Sequence, residues 1–175
     1  MIQPSPDTRI DGWDACSGYY YADSTINGFS HTHVSGTGCC DYGDVLLMPT
    51  VGKQQYRTTD PQSQRLAYAS SFSHKNEIAE PGYYSVFLDT YQVKAEISST
   101  KRGAIHRYTF PENTESGFII DLDYSLQRQT NSEMEIEVIS DTEICGHKKT
   151  TYWAFDQYIN CLLYTSPSPR DPKTS

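Results

Sequence analysis

The feature that most constrains the fold of this chain is a two-residue alternation of polar and apolar side chains. Glutamates alternate with Met, Ile and Val in "EMEIEVI" (133–139), and similar alternation runs through "YQVKAEIS" (91–98) and "IHRYTF" (105–110). Because successive side chains on a β-strand point to opposite faces of the sheet, each run predicts a half-buried strand. The side chains that we expect to face inward are Val93, Ile97, Ile136 and Val138.

The rest of the pattern extends this prediction to the whole chain. "DVLLMPT" is a short apolar run closed by Pro49, and "GFIIDLDYSL" begins with an apolar run and then alternates. We interpret "PGY", "KRG", "PENTESG" and "CGHKK" as turns between strands. Several strands at short spacing, without helical periodicity, predict an all-β fold, an antiparallel β-sandwich. The length of 175 residues suits one such domain or a piece of a larger protein.

Composition and charge exclude several classes of function. The net charge is −8, and Lys101 and Arg102 form only a lone basic pair, so the basic stripe that a nucleic-acid-binding protein needs is absent from the sequence. The sequence contains no run of about 18 apolar residues, the length that a membrane-spanning helix needs. The sequence does not open on the basic and apolar segments of a signal peptide. The five cysteines are an odd number, which predicts mostly free thiols.

The end of the chain differs in composition from the rest. "CLLYTSPSPRDPKTS" (161–175) is rich in Ser and Pro and has no apolar face to bury, which predicts a disordered tail. This segment also resembles translated cloning-adaptor sequence, so we expect it not to be native. The folded domain is therefore predicted to comprise residues 1–160.

The stretch "GFSHTHVSGTG" carries two histidines, His31 and His33, shortly before Asp41 and Asp44. On a strand the two imidazoles would point to the same face and could bind one metal ion, but a third ligand could reach only through a turn. The other interpretations are half-buried histidines hydrogen-bonded to the backbone, and polar contacts with a ligand. The neighbouring glycines favour ligand contact, because they let the backbone approach closely.

The stretch "DGWDACSGYYYADS" places Trp13 between Asp11 and Asp14, ahead of three tyrosines. Sugar recognition uses this combination, because an aromatic ring stacks on the apolar face of a pyranose and carboxylates accept hydrogen bonds from its hydroxyls. The alternative is that Trp13 fills the core of the sandwich. Two pairs of carboxylates are available for acid–base chemistry, Asp11 with Asp14 and Asp121 with Asp123, although the second pair lies in a predicted strand.

These stretches resemble the N-terminal domain of glycoside hydrolase family 92, the exo-acting α-mannosidases. The likeness begins with "MIQPSPDTRIDGWDACSGYYYADSTINGFSHTHVSGTGCCDYGDVLLMP" and continues through "SFSHKNEIAEPGYYSVFLDTYQVKAEISSTKRGAIHRYTFP", "GFIIDLDYSL" and "TYWAFDQY". Agreement in several separated blocks between residues 1 and 160 is more specific than one short motif.

The resemblance implies a fold, an activity and a cofactor. Members of the family join an N-terminal β-sandwich to a C-terminal (α/α) barrel and remove terminal α-linked mannose from N-glycans, with inversion and with calcium. The catalytic carboxylates and the Ca²⁺ ligands come mainly from the barrel, so the resemblance implies neither in this chain. The secretion signal and the barrel of the family have no counterpart in the sequence. We therefore expect a truncated piece that is inactive alone and whose parent is secreted, periplasmic or displayed on the cell surface.

The resemblance also implies residues that bind substrate. Trp13 and Asp14 match the "GWD" motif, whose Trp is expected near the leaving sugar. His31 and His33 match the "HTH" motif, which is expected to line or support the same cleft. The implied partners are mannose-containing N-glycans and the C-terminal barrel. The alternative function is a non-catalytic carbohydrate-binding or accessory β-sandwich module.

Overall fold

The computed structural model describes residues 2–34, 42–54, 56, 63–128, 130–152 and 155–164. Over these ranges the chain forms twelve β-strands, two short 3-10 turns (Trp13–Ala15 and Leu126–Arg128) and no α-helix. No helix within them has the length and apolar content needed to cross a membrane. The strands are β1 (Ser5–Asp7), β2 (Thr25–Ile26), β3 (Gly28–Ser30), β4 (Leu46–Val51), β5 (Ser70–Glu80), β6 (Tyr83–Leu88), β7 (Val93–Ser99), β8 (Ala104–Thr109), β9 (Ser116–Asp121), β10 (Thr130–Ser140), β11 (Glu143–Tyr152) and β12 (Phe155–Tyr164).

Two antiparallel sheets form a sandwich, which confirms the predicted fold class. One sheet has the order β1-β3-β4-β9, and the other has the order β2-β5-β6-β7-β8. The predicted turns "PGY" and "KRG" join β5 to β6 and β7 to β8, and "PENTESG" leads from β8 across to β9 in the first sheet. One buried cluster draws on both sheets, with Phe29, Leu46, Met48 and Ile119 from the first and Ile26, Phe72, Val86, Leu88, Val93, Ala95 and Ile97 from the second.

Strand β7 shows how the alternation in the sequence becomes a buried face. Val93 and Ile97 are buried in the core, as predicted, while Lys94 points the other way and is exposed. Glu96 shares the outer face with Lys94, and its carboxylate accepts two hydrogen bonds from the guanidinium of Arg107 on β8, at 2.8 and 2.6 Å. Burial of the apolar face stabilises the strand by roughly 25 cal/mol per Å² of surface removed from water.

Strand β4 is buried on both of its faces. Leu46 and Met48 point into the sandwich core, whereas Leu47 points to the opposite side of the sheet, as does Ile120 of β9. There the β10–β11 hairpin covers them, and these side chains line an apolar cavity of about 30 Å³ together with Ile136. Packing on two faces explains why "DVLLMPT" is continuously apolar rather than alternating.

The third sheet, with the order β10-β11-β12, is joined to the sandwich by a buried ion pair. Lys148 Nζ lies 2.9 Å from Asp44 Oδ1, and both side chains are fully buried. The same ammonium donates to the carbonyl oxygen of Tyr124 at 2.8 Å, and Thr150 Oγ1 donates to Asp44 at 2.7 Å. Burial lowers the pKa of Lys148 below its usual value, and the hydrogen bond and charge of Asp44 oppose that change.

The interpretation of "CGHKK" as a turn is wrong, because this segment lies in the middle of β11. The hairpin turn lies instead at residues 141–142. Gly146 marks a close approach of two strands, since a Cβ built there would lie 2.6 Å from the carbonyl oxygen of Glu135. Lys148 is compatible with a buried strand only because Asp44 and a backbone carbonyl satisfy its ammonium group.

Strand β10 is confirmed, but its predicted inward side chains are not buried. Ile136 is 44% exposed and Val138 is 72% exposed. The strand is at the edge of the third sheet, and the hairpin contacts the sandwich over only part of its length. The alternation therefore identified the two faces of β10 correctly, but the sandwich does not fully cover either of them.

The predicted start of the disordered tail at residue 161 is also corrected. Strand β12 continues to Tyr164, and its last four residues pair with Glu143–Gly146 of β11. The Ser- and Pro-rich composition on which the prediction depended begins only after Tyr164. Residues 165–175 lie outside the described part of the chain, and their disorder and non-native origin stay predictions.

We predict that replacing Lys148 with Met destabilises the domain by about 3–5 kcal/mol, because Asp44 is left as a buried charge without its partner. The measurement is the free energy of unfolding from urea denaturation. Lys75→Met is the control, because Lys75 is an exposed lysine on β5, and substitutions at such surface positions change stability by about 0.5 kcal/mol or less. Equal losses in the two variants would contradict a joining role for Lys148.

Candidate functional site

Trp13 lies on the surface, in the 3-10 turn Trp13–Ala15. Its side chain is 71% exposed, so the interpretation in which it fills the sandwich core is wrong. The turn starts after Gly12, whose φ of 109° favours glycine, and the thiol of Cys16 donates to the Trp13 carbonyl oxygen at 2.7 Å. Asp14 is next to Trp13 in the turn, and its side chain is 69% exposed. The turn therefore displays an indole ring and a carboxylate together.

Arg9 connects this turn to the following loop. Its guanidinium binds the carboxylate of Asp23, with Nε and Nη2 at 2.9 and 3.0 Å from the two oxygens, and its Nη1 lies 3.4 Å from Asp14. The guanidinium carbon also lies 4.0 Å from the ring centroid of Tyr20, a cation–π contact. One side chain thus ties together the two ends of the loop that follows Trp13.

Two of the three tyrosines fasten the same loop to β5. The hydroxyl of Tyr19 donates to the carboxylate of Glu77 at 3.0 Å, and the ring of Tyr21 stacks on His74 at a centroid distance of 4.2 Å. His74 Nδ1 lies 2.6 Å from Glu77, which raises the pKa of His74 above its usual value. Sequence reasoning missed His74 and Glu77, because an irregular pairing of β5 between Phe72 and Glu77 brings them beside the loop.

His31 follows the end of β3 and contacts the opposite sheet. Its Nδ1–H donates to the Val45 carbonyl oxygen at 2.7 Å, and its Nε2 lies 3.0 Å from Nε2 of His106 on β8. A neutral His31 must therefore accept at Nε2, which makes His106 the Nε2–H donor and leaves its Nδ1 to accept from the Tyr108 hydroxyl at 2.8 Å. Burial lowers the pKa of both histidines, and the pKa of His106 falls to about 3.

His33, unlike His31, lies next to a carboxylate. Its Nδ1–H donates to the Gln3 carbonyl oxygen at 2.7 Å, and its Nε2 lies 3.1 Å from Asp7 Oδ1 and 2.9 Å from Ser30 Oγ. Burial alone would lower the pKa of His33, but the hydrogen bond and charge of Asp7 outweigh that effect and raise it. Asp7 in turn touches Gly18, where a Cβ would overlap the carboxylate. His33 therefore supports the loop that carries Trp13 from the inside.

The structure separates the four predicted substrate-binding residues into two groups. Trp13 and Asp14 are displayed on the exposed turn, whereas His31 and His33 are directed inward and contact different strands. Substrate contact by these residues stays a prediction, and for the two histidines the geometry favours support of the site. The stretch 35–41 lies outside the described residues, and with it Gly36, Gly38, the two cysteines and Asp41, whereas Gly28 is buried in β3.

The metal site and the acid–base carboxylate pairs considered from the sequence find little support in the described part of the chain. Within it, no group of three or more His, Cys, Asp or Glu side chains is placed to hold a metal ion, so we assign no calcium ligand there. Asp121 ends β9, where its Oδ1 accepts from the backbone N–H groups of Asp123 and Tyr124 and its Oδ2 accepts from Tyr68. Asp121 therefore closes a turn, which is a structural role. The carboxylates of the other pair, Asp11 and Asp14, flank Trp13.

These features define an antiparallel β-sandwich domain with an exposed aromatic turn, and comparison with known proteins identifies its family. The profile of the "Glycosyl hydrolase family 92 N-terminal domain" matches residues 1–168. The chain belongs to this family.

Solved structures and a curated protein are similar to the chain. The family GH92 alpha-mannosidase BT3965 from Bacteroides thetaiotaomicron, solved alone and with mannoimidazole, is 38% identical with a TM-score of 0.83 over 91% of this chain. The GH92 family glycosyl hydrolase ccman5 is 26% identical with a TM-score of 0.68 over 92% of this chain. An "Uncharacterized secreted glycosidase" of Arthroderma benhamiae is 29% identical over 107 residues, 59% of this chain. The chain spans 21% and 22% of the two structures and 13% of the curated protein.

We predict that His106→Leu flattens the pH dependence of stability in acid. The unfolded chain takes up a proton on this histidine near pH 6.5, whereas the folded chain keeps it neutral to about pH 3. The unfolded state therefore binds more protons in this window, and His106 lowers stability as the pH falls through it. Removing His106 should reduce the slope of the unfolding free energy by up to about 1.4 kcal/mol per pH unit.

Urea denaturation between pH 3.5 and 8 measures this slope, and His74→Leu supplies a control of opposite sign. Glu77 raises the pKa of His74, so His74 contributes stability at low pH that is lost as the pH rises through its folded pKa. Its removal should make the loss of stability in acid larger. A His106→Leu variant with the slope of the unmodified chain would refute the neutral histidine pair.

Proposed function

We propose that this chain is the N-terminal part of a glycosidase that removes terminal α-linked mannose from N-glycans. The support is the family of the chain and the likeness to proteins described as alpha-mannosidases, one of them solved with mannoimidazole. The curated relative described as a secreted glycosidase supports a parent that is secreted, periplasmic or held at the cell surface. The proposed partners are mannose-containing glycans and the remainder of the longer enzyme.

The proposal depends mainly on the exposure of Trp13, on a turn that contacts of neighbouring residues hold in place. A large aromatic ring with 71% exposure contributes nothing to the core, and it lies between Asp11 and Asp14 in the chain. The flat face of an indole suits the apolar face of a pyranose, and the carboxylates can accept hydrogen bonds from its hydroxyls. We propose that this turn contacts the sugar that leaves the reaction.

The chemistry itself is proposed to lie outside this chain. An inverting glycosidase needs one carboxylic acid to protonate the leaving oxygen and one carboxylate to activate water, about 6.5–9.5 Å apart. Calcium supplies, when bound, a positive charge with about 6–8 oxygen ligands that can hold sugar hydroxyls in place. We propose that both belong to the remainder of the enzyme, and that this chain contributes loops to the substrate cleft.

A second candidate function is a non-catalytic carbohydrate-binding or accessory module. The exposed Trp13 beside Asp14 favours it as well, because a stacking ring and a carboxylate suffice for binding without hydrolysis. The two functions differ in what happens to a bound α-mannoside, since only an enzyme releases free mannose.

We expect the chain alone to release no mannose from an α-mannoside, with or without calcium. In an enzyme that joins this chain to a family 92 catalytic domain, Trp13→Ala should reduce kcat/KM on an α-linked mannobiose. The expected loss is about 1–2 kcal/mol of transition-state stabilisation, or roughly 5- to 30-fold, as for an aromatic anchor of an interface. The loss should be smaller on an aryl α-mannoside, because its leaving group is not a sugar.

The control is Tyr56→Ala, which removes another surface aromatic of similar exposure, 70%. Free mannose is measured from both substrates. Equal losses on mannobiose and aryl mannoside would remove Trp13 from the contact with the leaving sugar. Release of mannose by the chain alone would overturn the placement of the chemistry.

A further inference from the structure

Gln64 is placed to hold the residue pair that precedes the Trp13 turn. Its Oε1 accepts from the backbone N–H groups of Ile10 and Asp11, at 2.9 and 3.1 Å, and its Nε2 donates to Asp11 Oδ1. Its own backbone is fixed by the fully buried Asn27, whose Nδ2 donates to the Gln64 carbonyl oxygen at 2.8 Å. The entrance to the turn is thereby connected to the interior of the sandwich.

Arg128 holds the same aspartate from another direction. Its Nε donates to Asp11 Oδ2 at 3.0 Å, and its Nη2 donates to the Ser63 carbonyl oxygen at 2.8 Å. Gln127 and Arg128 both have positive φ, 61° and 50°, and the backbone N–H of Gln127 donates to the Ile10 carbonyl oxygen at 2.8 Å. Two consecutive left-handed residues other than glycine persist only where their surroundings fix them, and such strain concentrates at functional sites.

We infer that Gln64, Asp11 and Arg128 form a positioning network that fixes the Trp13 ring before a sugar binds. The inference rests on the proposed contact between Trp13 and the leaving sugar. With Arg9 bound to Asp14 on the other side, the turn is held at both ends while its indole stays exposed. Gly12 connects Asp11 to Trp13 with a φ of 109°, a conformation that glycine adopts readily, so the clamp on Asp11 sets where the turn begins. A ring that is ordered in advance binds more tightly, because less conformational freedom is lost on binding.

The test uses the full chain with Trp153→Phe, so that Trp13 is the remaining tryptophan. Time-resolved fluorescence anisotropy reports local rotation of the ring, and calorimetric titration with α-linked mannobiose reports affinity. Arg128→Met and Gln64→Leu should each speed local rotation and weaken mannobiose binding by about three- to tenfold. Arg128→Lys should recover part of both effects, since it keeps a donor for Asp11. Arg102→Met, which removes one exposed positive charge in the β7–β8 turn, should change neither.

The outcomes separate this inference from the proposed function. If Trp13→Ala abolishes binding while Arg128→Met and Gln64→Leu change neither rotation nor affinity, the network is refuted and the sugar contact stands. If mannobiose does not bind the chain, or binds Trp13→Ala as well as the unmodified chain, the sugar contact is refuted and the inference falls with it. Faster rotation with weaker binding in both variants, each still folded by circular dichroism, supports the network.

Discussion

The carboxylate of Asp44, fully buried, is the point on which the position of the third sheet against the sandwich depends. It accepts hydrogen bonds from Thr150 and Lys148 on β11 and from Thr32 after β3. An ionised carboxylate in the interior is costly unless its oxygens are satisfied, so these groups must stay together once the domain has folded. Apolar packing alone would let the third sheet slide on the outer face of β4, whereas a buried ion pair fixes its position.

The same polar connections extend from Asp44 toward the surface site. Thr32 both donates to Asp44 and accepts from its backbone N–H, which fixes the segment that carries His33. His33 binds Asp7, and Asp7 packs against Gly18 with no room for a side chain between them. Because these links run through the buried Asp44 and Asp7, the loop around the exposed Trp13 is supported from the core rather than only by its own surface contacts. The proposed contact between this surface ring and a flat sugar face would gain from such support.

The sequence predicted the sandwich because a two-residue period reports which side chains share a face, as Val93 and Ile97 do. It could not predict which face is covered, so Ile136 and Val138 were placed inward although the edge strand leaves them exposed. Lys148 was interpreted as part of a turn, because a basic pair next to glycine looks solvated until Asp44 is known to lie opposite. For Trp13 the sequence left core and surface open, since a tryptophan between acidic residues suits either. The contacts of Gln64 and Arg128 with Asp11 join residues more than 50 positions apart, beyond the reach of any local pattern.

The two histidines of "HTH" show that a motif does not determine the chemistry of its residues. Both are half-buried and two positions apart, yet His33 faces the carboxylate of Asp7 and has a raised pKa, whereas His31 faces His106 and has a lowered one. An opposite charge stabilises the imidazolium, while a second imidazole without a counter-charge favours the neutral form. The motif thus supplies one ionic and one neutral contact, directed to β1 and to β8. Their shared property is that both tie the segment after β3 to other strands, so that of the four motif residues it is Trp13 and Asp14 whose side chains are exposed.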